Sequence, residues 1–130
     1  DVESYPQFFV RMNVAKKIKT ENNTFDFYYE IEMPWPLPNY KCTTDNTLNI
    51  NEHNQHYRRS WKLKSGTFIR NDGYWDVKPW SENQSLLEYS VIIRPDSDLP
   101  QALINYATET ALENNITLFR KRMKTLKDKK

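Results

Sequence analysis

The stretch that decides the fold is FDFYYEIEM, residues 25–33. Its odd positions are all apolar or aromatic, and its even positions are mostly acidic. The odd set is Phe25, Phe27, Tyr29, Ile31 and Met33; the even set is Asp26, Tyr28, Glu30 and Glu32. Strict alternation predicts a β-strand that buries one face and exposes the other. The prolines of PWPLP, residues 34–38, remove backbone donors and should end the strand.

The same alternation continues along the chain and predicts further strands. Residues 1–12 are expected to form a short helix or turn, and residues 14–19 a short strand. A turn is expected after this strand, at Asn22 and Asn23. Strands are then expected over residues 40–50, 57–63, 67–79 and 87–93, with a turn at 64–66. Asn71, Asp72 and Gly73 lie inside one of these strands and predict a bend near them, because an interior glycine often marks a bulge.

The C-terminal region predicts one long helix. Its apolar residues recur at helical spacing: Leu103, Ile104, Ala107, Ala111, Ile116, Phe119, Met123 and Leu126. Ser97 or Asp98 is a suitable N-cap, and Pro100 suits a first turn. Consecutive strands followed by one helix indicate the α+β class with an antiparallel sheet.

Composition narrows the class of protein. A chain of 130 residues suits one domain, and its 6 Phe, 8 Tyr and 4 Trp supply much of the core area despite a mean hydropathy of -0.89. The net charge of +2 argues neither for nor against a nucleic-acid partner. Cys42 is the single cysteine, and His53 and His56 lack further ligands at metal spacing apart from Glu52, so we expect neither a metal nor a cofactor. No targeting segment is recognised, and the compartment stays open.

Several segments, in order, resemble the START-like branch of the helix-grip superfamily, which also holds polyketide aromatase/cyclases and Bet v 1-like plant proteins. The matching segments are residues 1–6 (DVESYP), 33–37 (MPWPL), 73–79 (GYWDVKP), Tyr89 with 94–100 (RPDSDLP), and 119–122 (FRKR). Two features depart from the pattern. The D-P-x-G turn reads RPDS at 94–97, and the strand and helix that normally open the domain have no counterpart before Asp1.

The resemblance implies a single domain over residues 1–130, an incomplete barrel that wraps around the C-terminal helix and leaves an apolar cavity beneath it. A core filled by the same side chains, with no cavity, is the alternative. The expected wall is Phe25, Phe27, Tyr29, Ile31, Met33, Tyr57, Arg59, Trp61, Trp75, Leu87, Tyr89 and Val91. The expected lid is Leu103, Ile104, Ala107 and Ala111.

Arg59 is the one charged residue in that wall, since alternation places it beside Tyr57 and Trp61. A buried guanidinium requires an anionic or carbonyl partner. It either anchors a ligand headgroup or forms a structural ion pair, for which Asp45 and Glu88 are the candidates.

Three functions compete at this point. Binding or transfer of a lipid or other hydrophobic small molecule needs only the apolar wall. A polyketide aromatase/cyclase would recruit inward Tyr29, Tyr57, Tyr89 and Arg59, yet no nucleophile–base pair is recognisable, which favours binding without catalysis. A nucleic-acid surface at 57–62 (YRRSWK) is disfavoured, because alternation separates the aromatic residues from most of the charges. The basic residues near the C-terminus either favour the helix dipole or contact a membrane surface transiently.

Overall fold

The computed structural model describes residues 1–7, 9, 11–32, 39–95 and 101–129, except for the side chains of residues 95 and 101–112. A short 3-10 helix, Val2–Gln7, opens the described chain. Six strands and one helix follow: β1 Met12–Glu21, β2 Thr24–Ile31, β3 Tyr40–Asn51, β4 His56–Gly66, β5 Phe68–Ser81, β6 Gln84–Pro95 and α1 Gln101–Asp128.

The six strands form one antiparallel sheet in which each strand pairs with its neighbours in sequence, in the order β1-β2-β3-β4-β5-β6. Sheet pairing joins β1 only to β2 and β6 only to β5, so the curved sheet is not closed into a barrel. The turn between β1 and β2 lies at the predicted asparagines, where Asn22 has a left-handed φ of 52°. The predicted α+β architecture, an open antiparallel sheet with a long C-terminal helix, is confirmed.

Alternation sorts the side chains of the sheet into two faces. We call the face that carries Phe25 and Phe27 the inner face and the opposite one the outer face. Phe25 is 5% exposed and Phe27 is 3% exposed, whereas Asp26, between them, forms an ion pair with Lys64 on the outer face. The inner face therefore holds the core.

No bulge interrupts the β5–β6 pairing at residues 71–73, where a bend is expected, although β4 pairs with β5 only as far as Gly73. Strand β5 stays in unbroken register with β6 from Arg70 to Pro79, and the irregularities lie at Phe68/Arg70 and Pro79/Ser81. A Cβ at Gly73 would stand 2.2 Å from the Ser90 carbonyl oxygen and 2.8 Å from the Trp61 ring. Glycine is therefore needed here for close packing, not for a bulge.

The turn expected at residues 64–66 is not formed by these residues. These residues are the last of β4, and Gly66 lies opposite Cys42 of β3. The chain reverses at Thr67, whose amide donates to the Lys41 carbonyl at 2.9 Å. Gly66 has a φ of 134°, a conformation that disfavours other residues, and this permits the sharp passage into β5.

Candidate functional site

The inner face is organised in transverse rows, because β3 to β6 are paired in register. The first row lies near the β3–β4 and β5–β6 turns and contains Ile50, Tyr57, Val77 and Leu87. We call it the mouth row. Ile50 is 53% exposed, Tyr57 43% and Leu87 37%, although all three lie on the inner face. A band of apolar surface therefore remains accessible on the side of the sheet that elsewhere forms the core.

The second row contains Leu48, Arg59, Trp75 and Tyr89. The rings of Trp75 and Tyr89 stack with centroids 4.1 Å apart. Burial raises the pKa of Tyr89 to about 12, with a smaller contribution from Tyr5, while nearby Arg59 acts in the opposite direction. The phenol of Tyr89 is therefore neutral over the physiological pH range.

Helix α1 meets the inner face through Phe119, which stacks on Trp75 with centroids 5.4 Å apart. Ile116 and Met123 lie three residues before and four residues after Phe119, so they share its side of the helix. They are nevertheless 38% and 51% exposed. The helix thus contacts the sheet at Phe119, while apolar residues above and below this contact stay open.

A second opening lies on the other side of the helix. A groove of about 520 Å³ lies between the 3-10 helix, the start of β1 and the later turns of α1. Phe9, Met12 and Leu118 supply its apolar lining, and Arg11 and Lys121 lie at it as well. The helix therefore does not pack closely against the start of β1.

Arg59 lies on the inner face, as alternation predicts. Its Nη1 donates to the Tyr5 hydroxyl at 2.9 Å, and its guanidinium lies 5.2 Å from the Trp61 ring centroid and 5.6 Å from that of Tyr5. Its Nε atom is buried and finds no hydrogen-bond partner among the residues that the structure describes. A cation of this residue is thus enclosed largely by aromatic rings.

The structural ion pair proposed for Arg59 is not formed. Within the described ranges, Arg59 has no carboxylate within salt-bridge distance. Asp45 lies between buried Thr44 and Asn46 and therefore points to the outer face. Glu88 also lies on the outer face, where it accepts a hydrogen bond from Tyr74. The charge of Arg59 is thus not neutralised by either candidate.

A buried polar network occupies the deeper part of the inner face. Asn71, 1% exposed, accepts a hydrogen bond from Trp61 Nε1 at 3.0 Å and donates to the Tyr29 hydroxyl and to Cys42 Sγ. Burial raises the pKa of Tyr29 well above its usual value and also raises that of the Cys42 thiol. Both groups stay protonated and are held in place by Asn71.

Sequence reasoning missed Asn71 as an inner-face residue. The signal was present, because Asn71 lies two and four residues before Gly73 and Trp75 and so shares their face. Asn46 is also a buried polar residue of the inner face. Its Nδ2 donates to Thr44 Oγ1 at 2.9 Å, while its Oδ1 is buried and has no partner in the described part of the chain. Polar residues therefore form part of the wall that was predicted from apolar residues.

Phe25 and Phe27, the first two residues of the predicted wall, are covered by protein. They form a buried cluster with Val2, and Tyr5 packs edge-on against Phe27 with ring centroids 5.8 Å apart. Both Val2 and Tyr5 belong to the 3-10 helix. This part of the inner face is a filled core.

The remaining predicted residues fall into three groups. Ile31 packs against a buried cluster of Tyr40, Cys42 and Phe68, and Val91 is half-buried opposite Gly73. Met33 lies outside the described residues. The predicted lid belongs to α1, but its side chains are likewise outside the described part: Leu103, Ile104, Ala107 and Ala111.

His56 Nε2 lies 2.9 and 3.0 Å from the two carboxylate oxygens of Asp76, which also contacts Arg58 on the outer face. Across the described ranges, no group of three His, Cys, Asp or Glu side chains is placed to hold a metal ion. No described helix combines the length and apolarity that crossing a membrane requires.

Comparison with known proteins adds independent evidence. The sequence matches the family described as polyketide cyclase / dehydrase and lipid transport over residues 1–120. A search of curated proteins finds no significant match.

Solved structures with a similar fold come from several bacteria. A START superfamily protein from Mycobacterium smegmatis superposes with a TM-score of 0.74 at 15% identity, covering 97% of this chain and 84% of that one. A STAR-related lipid transfer protein from Xanthomonas axonopodis gives 0.71 at 15% identity, covering 91% and 71%. The Zhui aromatase/cyclase from Streptomyces gives 0.60 at 12% identity, covering 91% and 74%.

The fold and the family match agree. Six antiparallel strands in an open sheet with a C-terminal helix are shared with START-superfamily structures, and the family match spans most of the chain. Membership indicates a domain for hydrophobic ligands, of the lipid-transport or polyketide-cyclase type. The chain therefore belongs to the polyketide cyclase / dehydrase and lipid transport family, and its fold is that of START-superfamily structures.

Proposed function

We propose that the chain binds a lipid or other hydrophobic small molecule in the cleft between the inner face and α1, without covalent chemistry. One observation carries this proposal. The inner face and α1 meet where Trp75 stacks on Phe119. Apolar side chains on both surfaces beside this contact are nevertheless 37–53% exposed: Ile50, Tyr57 and Leu87 of the mouth row, and Ile116 and Met123 of the helix. An apolar ligand between them would remove this area from water, which stabilises the complex by about 25 cal/mol per Å² buried.

The ligand-binding residues follow from this position. The described side chains that we assign to contact are Tyr57, Trp75, Leu87, Tyr89 and Val91, with Leu103, Ile104, Ala107 and Ala111 of α1 as the proposed lid. Phe25 and Phe27 support the wall from the packed side. An accessible apolar surface beside a few fixed polar groups is the usual composition of a small-molecule site.

Strand β6 offers a matched pair of variants for a test. Leu86 and Leu87 are adjacent and each 37% exposed, but Leu86 lies on the outer face and Leu87 on the inner face. We expect Leu87→Gln to weaken binding of a fatty-acyl fluorescent probe by about tenfold, because a polar amide replaces roughly 1–2 kcal/mol of apolar contact. Leu86→Gln should leave the affinity unchanged.

The readouts are probe titration and mass spectrometry of lipid extracted from the purified protein. Equal effects of Leu86→Gln and Leu87→Gln would show that binding does not use the inner face. Absence of both probe binding and co-purified lipid in the unmodified chain would refute the proposal.

We further propose that Arg59 anchors an acidic or otherwise anionic headgroup of the ligand. Its support is the enclosed guanidinium with a buried, unpaired Nε and no carboxylate partner in the described part of the chain. A buried cation gains most from an anionic partner.

The test of Arg59 compares two ligands that differ only in their headgroup. We expect Arg59→Met to weaken binding of a fatty acid by more than about tenfold, because a charge-assisted hydrogen bond contributes roughly 1.5–3 kcal/mol. Binding of the corresponding fatty alcohol should change little. Equal affinity of the variant and the unmodified chain for the fatty acid would remove the anchor role.

We favour binding over aromatase/cyclase activity because the tyrosines of the inner face hold their protons. Tyr29 is tied to Asn71, and burial raises the pKa of both Tyr29 and Tyr89. A general base must be deprotonated near the working pH, so neither phenol suits that task, and each could serve catalysis only as a proton donor.

A further inference from the structure

The later turns of α1 concentrate positive charge. Residues 114–129 contain six Lys or Arg and one acidic residue, Asp128, a net charge of +5 in a chain whose total is +2. The rest of the chain is therefore net negative. Cations near the end of a helix favour its dipole, but that effect involves the last turn and accounts for only part of this charge.

The same turns leave an apolar stripe uncovered. Ile116, Phe119, Met123 and Leu126 recur at spacings of three and four residues and thus share one side of the helix. Phe119 is covered by Trp75, whereas Met123 and Leu126 are 51% and 41% exposed. The stripe is uncovered where the positive charge is densest.

The basic residues border this stripe on both sides. At 100° per residue, Arg120, Lys124 and Lys127 follow one edge, and Arg122 and Lys129 follow the other. An apolar strip between two basic edges is the pattern of a helix that lies in a membrane interface, with its apolar side inserted and its cations near lipid phosphates.

We propose that residues 119–129 of α1 dock the protein on a membrane surface that carries anionic lipids. Met123 and Leu126 enter the boundary of the acyl chains, and the flanking Lys and Arg side chains contact the headgroups. This inference goes beyond ligand binding and does not require an occupied cleft.

Charge favours a membrane over a second copy of this chain. Pairing two identical stripes would bring the five bordering cations of one helix against the same five of the other, and like charges at that distance repel. Clusters of four to eight cations beside apolar residues are instead attracted to anionic leaflets.

The test uses vesicles of phosphatidylcholine with and without phosphatidylserine and measures co-sedimentation of the purified chain. We expect binding only to the anionic vesicles, weakened by added salt. Lys124→Glu combined with Lys127→Glu should lower binding at least about tenfold, because each cation near the surface contributes to attraction.

A control with the same charge change separates local from overall charge. Lys62→Glu combined with Lys78→Glu reverses two exposed cations of the outer face and should leave vesicle binding within about twofold of the unmodified chain. Equal losses in both double variants would overturn the proposal, since net charge would then explain the binding.

A second variant tests insertion without changing charge. Leu126→Ser, at a residue to which no ligand contact is assigned, should lower vesicle binding about fivefold, with the helix monitored by circular dichroism. Unchanged vesicle binding would overturn the proposal, and so would sedimentation equilibrium that shows this residue holding a dimer. Binding of the fatty-acyl probe in solution is measured in parallel and should be unchanged in this variant. Failure of the unmodified chain to bind the probe, with vesicle binding intact, would refute the proposed function and leave membrane docking standing.

Discussion

Two regions of the same inner face show what a covering element does. In the packed region, Phe25 and Phe27 lie beneath the 3-10 helix and are at most 5% exposed. In the open region, Tyr57 and Leu87 of the mouth row lie on the same face but are 43% and 37% exposed. Alternation along the strands puts both sets on one side of the sheet, and only the first set meets protein side chains that bury it.

This difference indicates that the two regions of the sheet have different roles. The packed region supplies stability, since its rings are removed from water by Val2 and Tyr5. The open region leaves apolar area exposed to water in the free protein, and a hydrophobic ligand can bury this area. Arg59 lies at the boundary between the packed and the open region. It donates a hydrogen bond to the Tyr5 hydroxyl on one side and lies next to Trp75 in its row on the other.

The largest expected effect is on the packed region. Phe27→Ala removes a ring that is 3% exposed, so we expect the free energy of unfolding to fall by about 3–5 kcal/mol. The measurement is urea denaturation followed by circular dichroism. Its counterpart in the open region is Leu87→Ala, which should cost less than about 1 kcal/mol because the side chain is already partly in water. Similar losses in the two variants would contradict the division between the regions.

The sequence predicted the positions of the strands and the helix well, for a physical reason. Alternation and helical spacing are local patterns, and local patterns determine which side chains share a face. Phe25, Phe27 and Tyr29 were therefore assigned to the inner face correctly, and so was Arg59.

The sequence could not predict which segment covers the inner face. The 3-10 helix buries Phe27 by placing Val2 and Tyr5 against it, and this contact depends on how distant segments meet. Periodicity within one strand contains no information on such a contact. Asn71 was missed for a related reason: its hydrogen bonds run to Tyr29, Cys42 and Trp61 on other strands.

Gly73 illustrates the same limit. A glycine inside a strand is equally compatible with a bulge and with a close approach of a neighbour. Only the position of the Trp61 ring and the Ser90 carbonyl decides for close approach.

A smaller effect, expected at alkaline pH, sharpens the boundary between the two regions. Tyr89 is stacked on Trp75, and burial raises its pKa from 10 to about 12. The folded chain therefore holds this proton more tightly than the unfolded chain does. The stability that this gives is complete below pH 10, and it is lost as the pH rises from 10 through about 12.

Tyr89→Phe tests this directly, since phenylalanine has no proton to lose. The unmodified chain should lose up to roughly 3 kcal/mol more stability than the variant over that pH range. Difference absorbance of the phenolate, unmodified chain minus variant, measures the pKa itself. A difference titration centred at pH 10 would place Tyr89 in water and extend the open region past the second row. A midpoint near 12 would fix the boundary of the open region at the mouth row, with Trp75 and Tyr89 as the floor on which a ligand rests.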